Sequence, residues 1–237
     1  SASYDQHFDM LNGGVGLMVM NDKAGEGTIA TTNISGIYAY QLNINRKLSM
    51  RFGLQGTYVQ KKLDWDKLTF GDMIDPRYGF VYETQEVRPK ESRSFMDFSS
   101  GMIIYSSKVY GGVAVHHMTQ PDEAFIVKGS SKLPMKITAH AGAMIPLAKG
   151  NEAFISPNIL YQMQQDFQQL NLGLYVVKGP IVGGLWYRNQ DAFILLIGIQ
   201  KDQIKMGYSY DVTISRLGNA TAGSHEISFQ LQFHCKP

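Results

Sequence analysis

Apolar and polar residues alternate with a period of two along most of this chain, in segments of roughly ten residues separated by turn-forming residues. In KLSMRFGLQGTY (47–58), Leu48, Met50, Phe52, Leu54 and Tyr58 share one parity. Lys47, Ser49, Arg51, Gln55 and Thr57 share the other. Successive side chains of a strand point to opposite faces, so this pattern predicts a strand with one apolar and one polar face. Segment 203–211 repeats it, with Ile204, Met206, Tyr208 and Tyr210 opposed by Gln203, Lys205, Ser209 and Asp211. Near the C-terminus Ile227, Phe229, Leu231 and Phe233 oppose Glu226, Ser228, Gln230, Gln232 and His234. The predicted strands are 13–21, 28–44, 47–60, 93–105, 108–118, 135–147, 152–165, 168–178, 180–188, 191–200, 202–212 and 225–234, with the tail of another at 1–8. No amphipathic helix of ordinary length is predicted. Segment 191–200 (DAFILLIGIQ) is apolar on both parities, which suggests that its inner side faces other protein atoms or a plug.

Such alternation fits a soluble β-sandwich or barrel with its apolar face inward, or a transmembrane barrel with its apolar face toward lipid. Three features favour the membrane. The segments match the ~9–11 residues that a strand needs to cross a bilayer. Tyr38, Tyr40, Tyr58, Trp186, Tyr187, Tyr208, Tyr210 and Phe233 lie near segment ends, as in interfacial girdles. The connectors alternate in length. Residues 45–46, 106–107, 148–151, 179 and 201 make short turns, whereas 22–27, 61–92, 119–134 and 213–224 are longer; 166–167 and 189–190 are short on the long-loop side. The expectation is an all-β, antiparallel, up-and-down transmembrane β-barrel over residues 1–237, a single domain, with the short turns periplasmic. Even strand numbers are usual in bacterial barrels, so about fourteen strands are expected, with one full strand and part of another upstream of Ser1 and 225–234 closing against an upstream strand.

Composition narrows the classes. Charged residues are 18% and mean hydropathy is −0.17, with no apolar run long enough for a transmembrane helix. A net charge of +2 with dispersed Lys and Arg gives no nucleic-acid footprint. The single cysteine, Cys235, excludes an internal disulfide framework and a multi-cysteine zinc site.

Several stretches together resemble the PorP/SprF family: GGVGLMVMNDKAGEGTI (13–29), YAYQLNI (38–44), KLSMRFGLQGTYVQKKLDWDKLTFGDMID (47–75), PIVGGLWYRNQDAF (180–193) and GYSYDVTISRLGNATAGSHEISF (207–229). The most specific part is the GYSYD–SRL–GSHEIS block. The family comprises outer-membrane proteins of the Bacteroidota linked to type IX secretion and gliding motility. The resemblance implies a non-enzymatic barrel in the cell outer membrane, without cofactor. It implies type IX secretion components as partners, together with a secreted surface adhesin or its C-terminal domain, or a peptidoglycan-binding periplasmic protein that connects to a ring. A porin-like solute channel is the alternative, since both functions need a polar lumen.

Candidate chemistry is sparse. His116 and His117 are adjacent and, on one strand, would point to opposite faces, which precludes joint chelation. His140 with Ser156 or Asn158 has no triad spacing. Asp64, Asp66, Asp72 and Asp75 lack calcium-loop spacing and are interspersed with Lys61, Lys62 and Lys67. Lys205, Arg51, Arg188, Glu226 and Asp211 are expected on lumen faces. Loop 61–92, with a short helical turn expected at 66–73, carries Trp65, Phe70, Met73 and Ile74. An exposed loop of that apolar content must fold into the lumen or dock on a partner, so these four are the candidate partner-binding residues.

Overall fold

A computed structural model describes residues 1–25, 27–86, 90–125, 129–147, 153–215 and 223–233. Asn219, Thr221, His234 and Cys235 lie outside the described residues. The strands are β1 (Ala2–Phe8), β2 (Gly13–Ala24), β3 (Ile29–Asn45), β4 (Leu48–Leu63), β5 (Ile74–Asp75), β6 (Gly79–Phe80), β7 (Ser92–Tyr105) and β8 (Val109–His116), then β9 (Lys136–Ala143), β10 (Ile145–Pro146), β11 (Ala153–Gln164), β12 (Phe167–Lys178), β13 (Ile181–Arg188), β14 (Ala192–Lys201), β15 (Ile204–Thr213) and β16 (Ser224–Leu231). One fourteen-stranded sheet runs β1-β2-β3-β4-β7-β8-β9-β11-β12-β13-β14-β15-β16, with β10 paired to β11. Hydrogen-bonded neighbours therefore follow chain order, the up-and-down connectivity expected from the sequence; β5 and β6 form a separate hairpin within the longest loop.

The chain divides into two compact units. The first holds Ser1–Gln41, Arg51–Gly101 and Val115–Met135; the second holds Leu42–Met50, Met102–Ala114 and Lys136–Pro237. In the first, β1 pairs with β2 (Tyr4↔Leu17) and β2 with β3 (Val19↔Ile34). The apolar parity of these strands is exposed, whereas Ser35 on the other parity is completely buried (0% exposed). The Ser35 and Thr57 hydroxyls lie 2.9 Å apart, and the Gln55 amide donates to both at 3.2 and 3.0 Å. Arg51 donates twice to the Gln41 side chain, at 3.0 and 2.7 Å.

The second unit shows the same inversion. Leu185 faces Leu195, which faces Tyr210, and Ile197 at 62% exposure faces Tyr208. On the opposite parity Ser209 pairs with Glu226 and Asp211 with Ser224. Arg188 donates to Asp211 at 3.1 Å and to Asp191 at 3.2 Å. The inner parity of β14, apolar in sequence, is accounted for by its neighbours: Ile194 lies opposite Trp186 and Leu196 opposite Gly184. Trp186 in turn covers Gly173, and Tyr175 crosses Gly184, where a Cβ would come within 2.7 Å of the Tyr175 ring. The two rings meet edge to face at 5.8 Å. Here glycine makes room for an aromatic ring on the next strand.

A water-soluble sheet would hide its large apolar side chains and expose its hydroxyls and amides. Here Ser35, Thr57, Asp97, Ser156 and Asn171 are buried while Leu54, Leu195, Ile197 and Phe229 are exposed. That arrangement is stable where the exposed face meets hydrocarbon. The exposed parity also changes character along three strands. It turns polar between Val19 and Asn21, between Ile34 and Thr32, and between Tyr58 and Gln60. Asn21 donates to Thr32 across the strand pair at 2.8 Å, the first polar pair beyond the apolar stretch. On β3 and β4 the apolar stretch spans Ile34–Ile44 and Leu48–Tyr58, matching the ~9–11 residues of a tilted spanning strand. Residues 22–24 continue β2, and 29–33 and 59–63 belong to the polar ends of β3 and β4. The loop expected at 22–27 thus shrinks to residues 25–28, because the strands extend past the apolar band.

Candidate functional site

The longest connections lie in the first unit, at the ends where the exposed parity has turned polar. The β4–β7 loop is folded on its own stem. The Leu63 amide donates to the Glu91 carbonyl at 2.8 Å, and the Asp64 amide to the Thr28 carbonyl at 2.8 Å. One 3₁₀ turn follows at Trp65–Lys67 and a second at Gly71–Met73, in place of the single helical turn expected over 66–73. Trp65 is buried (9% exposed) against Phe70, with ring centroids 4.9 Å apart. The Phe70 amide donates to the Met73 sulfur at 3.3 Å. Beyond the second turn, Ile74 pairs with Phe80 and Asp75 with Gly79 in a hairpin.

Asp75 holds that hairpin's turn. Its Oδ1 accepts the amides of Arg77 and Tyr78 at 2.7 and 3.0 Å, and its Oδ2 accepts the Tyr82 hydroxyl at 3.0 Å. These donors favour the carboxylate, so its pKa lies below the ordinary aspartate value, the Arg77 and Tyr78 amides contributing most. Asp72 accepts the Thr84 hydroxyl at 3.0 Å and the Gln85 amide at 2.7 Å, tying the far side of the hairpin back to its base.

The β8–β9 loop is braced in the same way. His117 leaves the strand in a left-handed conformation (φ 57°), so it no longer alternates with His116 as a strand residue would. Its Nδ1 lies 2.7 Å from Oδ2 of buried Asp97, whose Oδ1 accepts the Thr119 hydroxyl at 3.2 Å. Asp122 accepts the amides of Ser131 and Ala124 at 2.9 and 3.0 Å, which lower its pKa in that order. Lys61, at the end of β4, donates to Glu123 at 2.6 Å, with both side chains largely covered. The β8–β9 loop is thereby fastened to the end of β4, from which the β4–β7 loop starts.

Of the four sequence candidates, Trp65 is buried, Phe70 and Met73 are half-buried and Ile74 is exposed at 48%. The first three fold the loop; Ile74 opens onto its surface. Beside it the structure exposes Tyr78 (77%), Phe80, Val81 and Tyr82. This second half of the loop was missed in the sequence, although the run Tyr78-Gly-Phe-Val-Tyr82 carries the signal. The aspartates do not converge: Asp72 and Asp75 are each occupied by local donors, and no group of three His, Cys, Asp or Glu side chains is placed to hold a metal among the described residues. His140 lies opposite Leu160, and its ring is 5.8 Å from that of Tyr110. Asn158 accepts the Tyr110 hydroxyl and donates to the Ser156 carbonyl at 2.8 Å, which occupies the candidate catalytic partners in a polar strand-to-strand network.

Residues 1–231 match the family described as type IX secretion system membrane protein PorP/SprF. The chain belongs to the PorP/SprF family. PorP/SprF membership and the inverted all-β sheet agree: PorP/SprF proteins are outer-membrane β-barrel components of type IX secretion. PorP/SprF is a structural part of a secretion system and is not known as an enzyme. No characterised protein and no solved structure matches the chain significantly.

Proposed function

We propose that this PorP/SprF protein is a single barrel domain that anchors a cell-surface protein, such as an adhesin, or helps its export by holding it on the folded β4–β7 loop. The alternative branch of the same role is a link from the barrel to a periplasmic ring through a peptidoglycan-binding protein. The loop supports the adhesin branch. Ile74, Tyr78, Phe80, Val81 and Tyr82 form an exposed apolar surface on a loop that is itself internally bonded. It lies at the end where the lipid-facing parity has become polar, so hydrocarbon does not cover it. An exposed apolar surface held in place is the usual footing for a protein partner. Deleting residues 66–80 is expected to abolish co-purification of the surface protein from outer membranes while leaving a folded barrel. Replacing Tyr78, Phe80 and Val81 with Ser should do the same while leaving the bonds to Asp75 in place. Unchanged retention in both variants would remove the loop from this role.

A further inference from the structure

The exposed apolar parity of the second unit is interrupted by a groove of about 410 Å³. Gly111, Ala139 and Ala141 form its floor, and Ile104, Ile159 and Tyr161 stand along it. A Cβ on Gly111 would lie 3.8 Å from that of Ala141, so the adjacent strands meet there through their smallest side chains. Its lining is almost wholly apolar, and Ala139 and Ala141 pair with Tyr161 and Ile159 on the parity that carries Ile137 and Met163. It therefore opens onto the lipid-facing surface and not into the polar network of Tyr110 and Asn158. Three residues before Gly111, about 10 Å along the strand, exposed Lys108 marks the short-turn end. The same end of this unit carries exposed Arg46, Lys47, Lys178 and Lys201, with Asp202 as the acidic residue of those turns.

We propose that this groove seats one acyl chain of a bilayer phospholipid, in the leaflet at the short-turn end, with Lys108 positioned for the phosphate. Depth and charge support this occupant. On β8, β9 and β11 the lipid-facing parity around the groove is apolar, so a chain of methylenes is the neighbour at that depth. At its end stands a lysine whose stem can lie along apolar surface while the ammonium reaches the interfacial phosphate. The proposal is independent of the loop's partner.

The test is native mass spectrometry of the full-length protein, extracted from outer membranes in mild detergent. The wild type is expected to retain a phospholipid. Ala139→Leu/Ala141→Leu, which fills the floor, should lose it, as should the milder Ala141→Leu if the double variant does not fold. Gly183→Leu adds the same bulk to the same parity, where nothing lies within 4 Å of the new Cβ, and should keep the lipid. A wild type that carries no phospholipid, or carries a lipid A glycolipid instead, would overturn the proposal. Equal retention by the groove-filled variants would also overturn it, as would loss from Gly183→Leu, since the effect would then not belong to this groove.

Discussion

Asp75 controls the geometry of the exposed apolar surface through three hydrogen bonds to one carboxylate. Its pKa is depressed in the folded loop, so its contribution is fully present above the unfolded value of ~3.9 and is lost as pH falls through the depressed folded value. Hydrogen exchange should show the Arg77 and Tyr78 amides protected at neutral pH and released on acidification. Asp75→Ala should release them at neutral pH as well. Protection that persists in the variant would mean that the turn is held by backbone geometry alone. Ser35 makes the opposite demand. It is completely buried beside Thr57 and Gln55, with no space for a larger apolar side chain. Ser35→Leu should cost about 1–3 kcal/mol, from overpacking and from the bonds removed, read as a lower urea midpoint in lipid vesicles.

Among the elements, β12 and β13 are joined by interlocking as well as by their hydrogen-bond ladder, because Trp186 occupies the space above Gly173. Gly173→Val should displace that ring. In a Trp65→Phe background, where Trp186 is the remaining tryptophan, its fluorescence should shift toward the solvent-exposed spectrum. An unchanged spectrum would mean that the ring does not depend on the glycine. The strands themselves were legible: each predicted segment corresponds to a strand of the main sheet, because a two-residue period survives wherever one face meets lipid. The lengths of β2 and β4 were under-read where the lipid-facing parity turns polar, past Asn21 and Gln60, since the contrast between faces disappears while the strand continues. Loop 61–92 was legible as apolar but not as folded. Its elements are single 3₁₀ turns and two-residue strands, too short to show a period. Neither the Trp65–Phe70 contact nor the Lys61–Glu123 bond from the end of β4 to a distant loop has a local sequence signature. Weight consequently fell on Phe70 and Met73, which fold the loop, and missed Tyr78 and Phe80, which are exposed on it.

For the molecule as a whole, the membrane reading predicts a sharp asymmetry between the two faces of one strand pair. Leu195 lies in the middle of the apolar band opposite Leu185 and Tyr210, whereas Ser209 is on the polar parity opposite Leu196 and Glu226. Leu195→Arg should destabilise the protein by about 2–4 kcal/mol in lipid vesicles, and Ser209→Arg by much less. Equal costs would contradict the assignment of the apolar face to lipid.

The loop that connects β4 to β7 also has a mechanical consequence. Both flanking strands run straight from it into the sheet, and they are neighbours there. A pull on the loop acts along the strand axes. Antiparallel hydrogen bonds lie across those axes, so the rungs are loaded in shear and share the force, where a pull from the side would open them one at a time. For a partner docked as proposed, the grip under drag is then set by the sheet as well as by the docking surface.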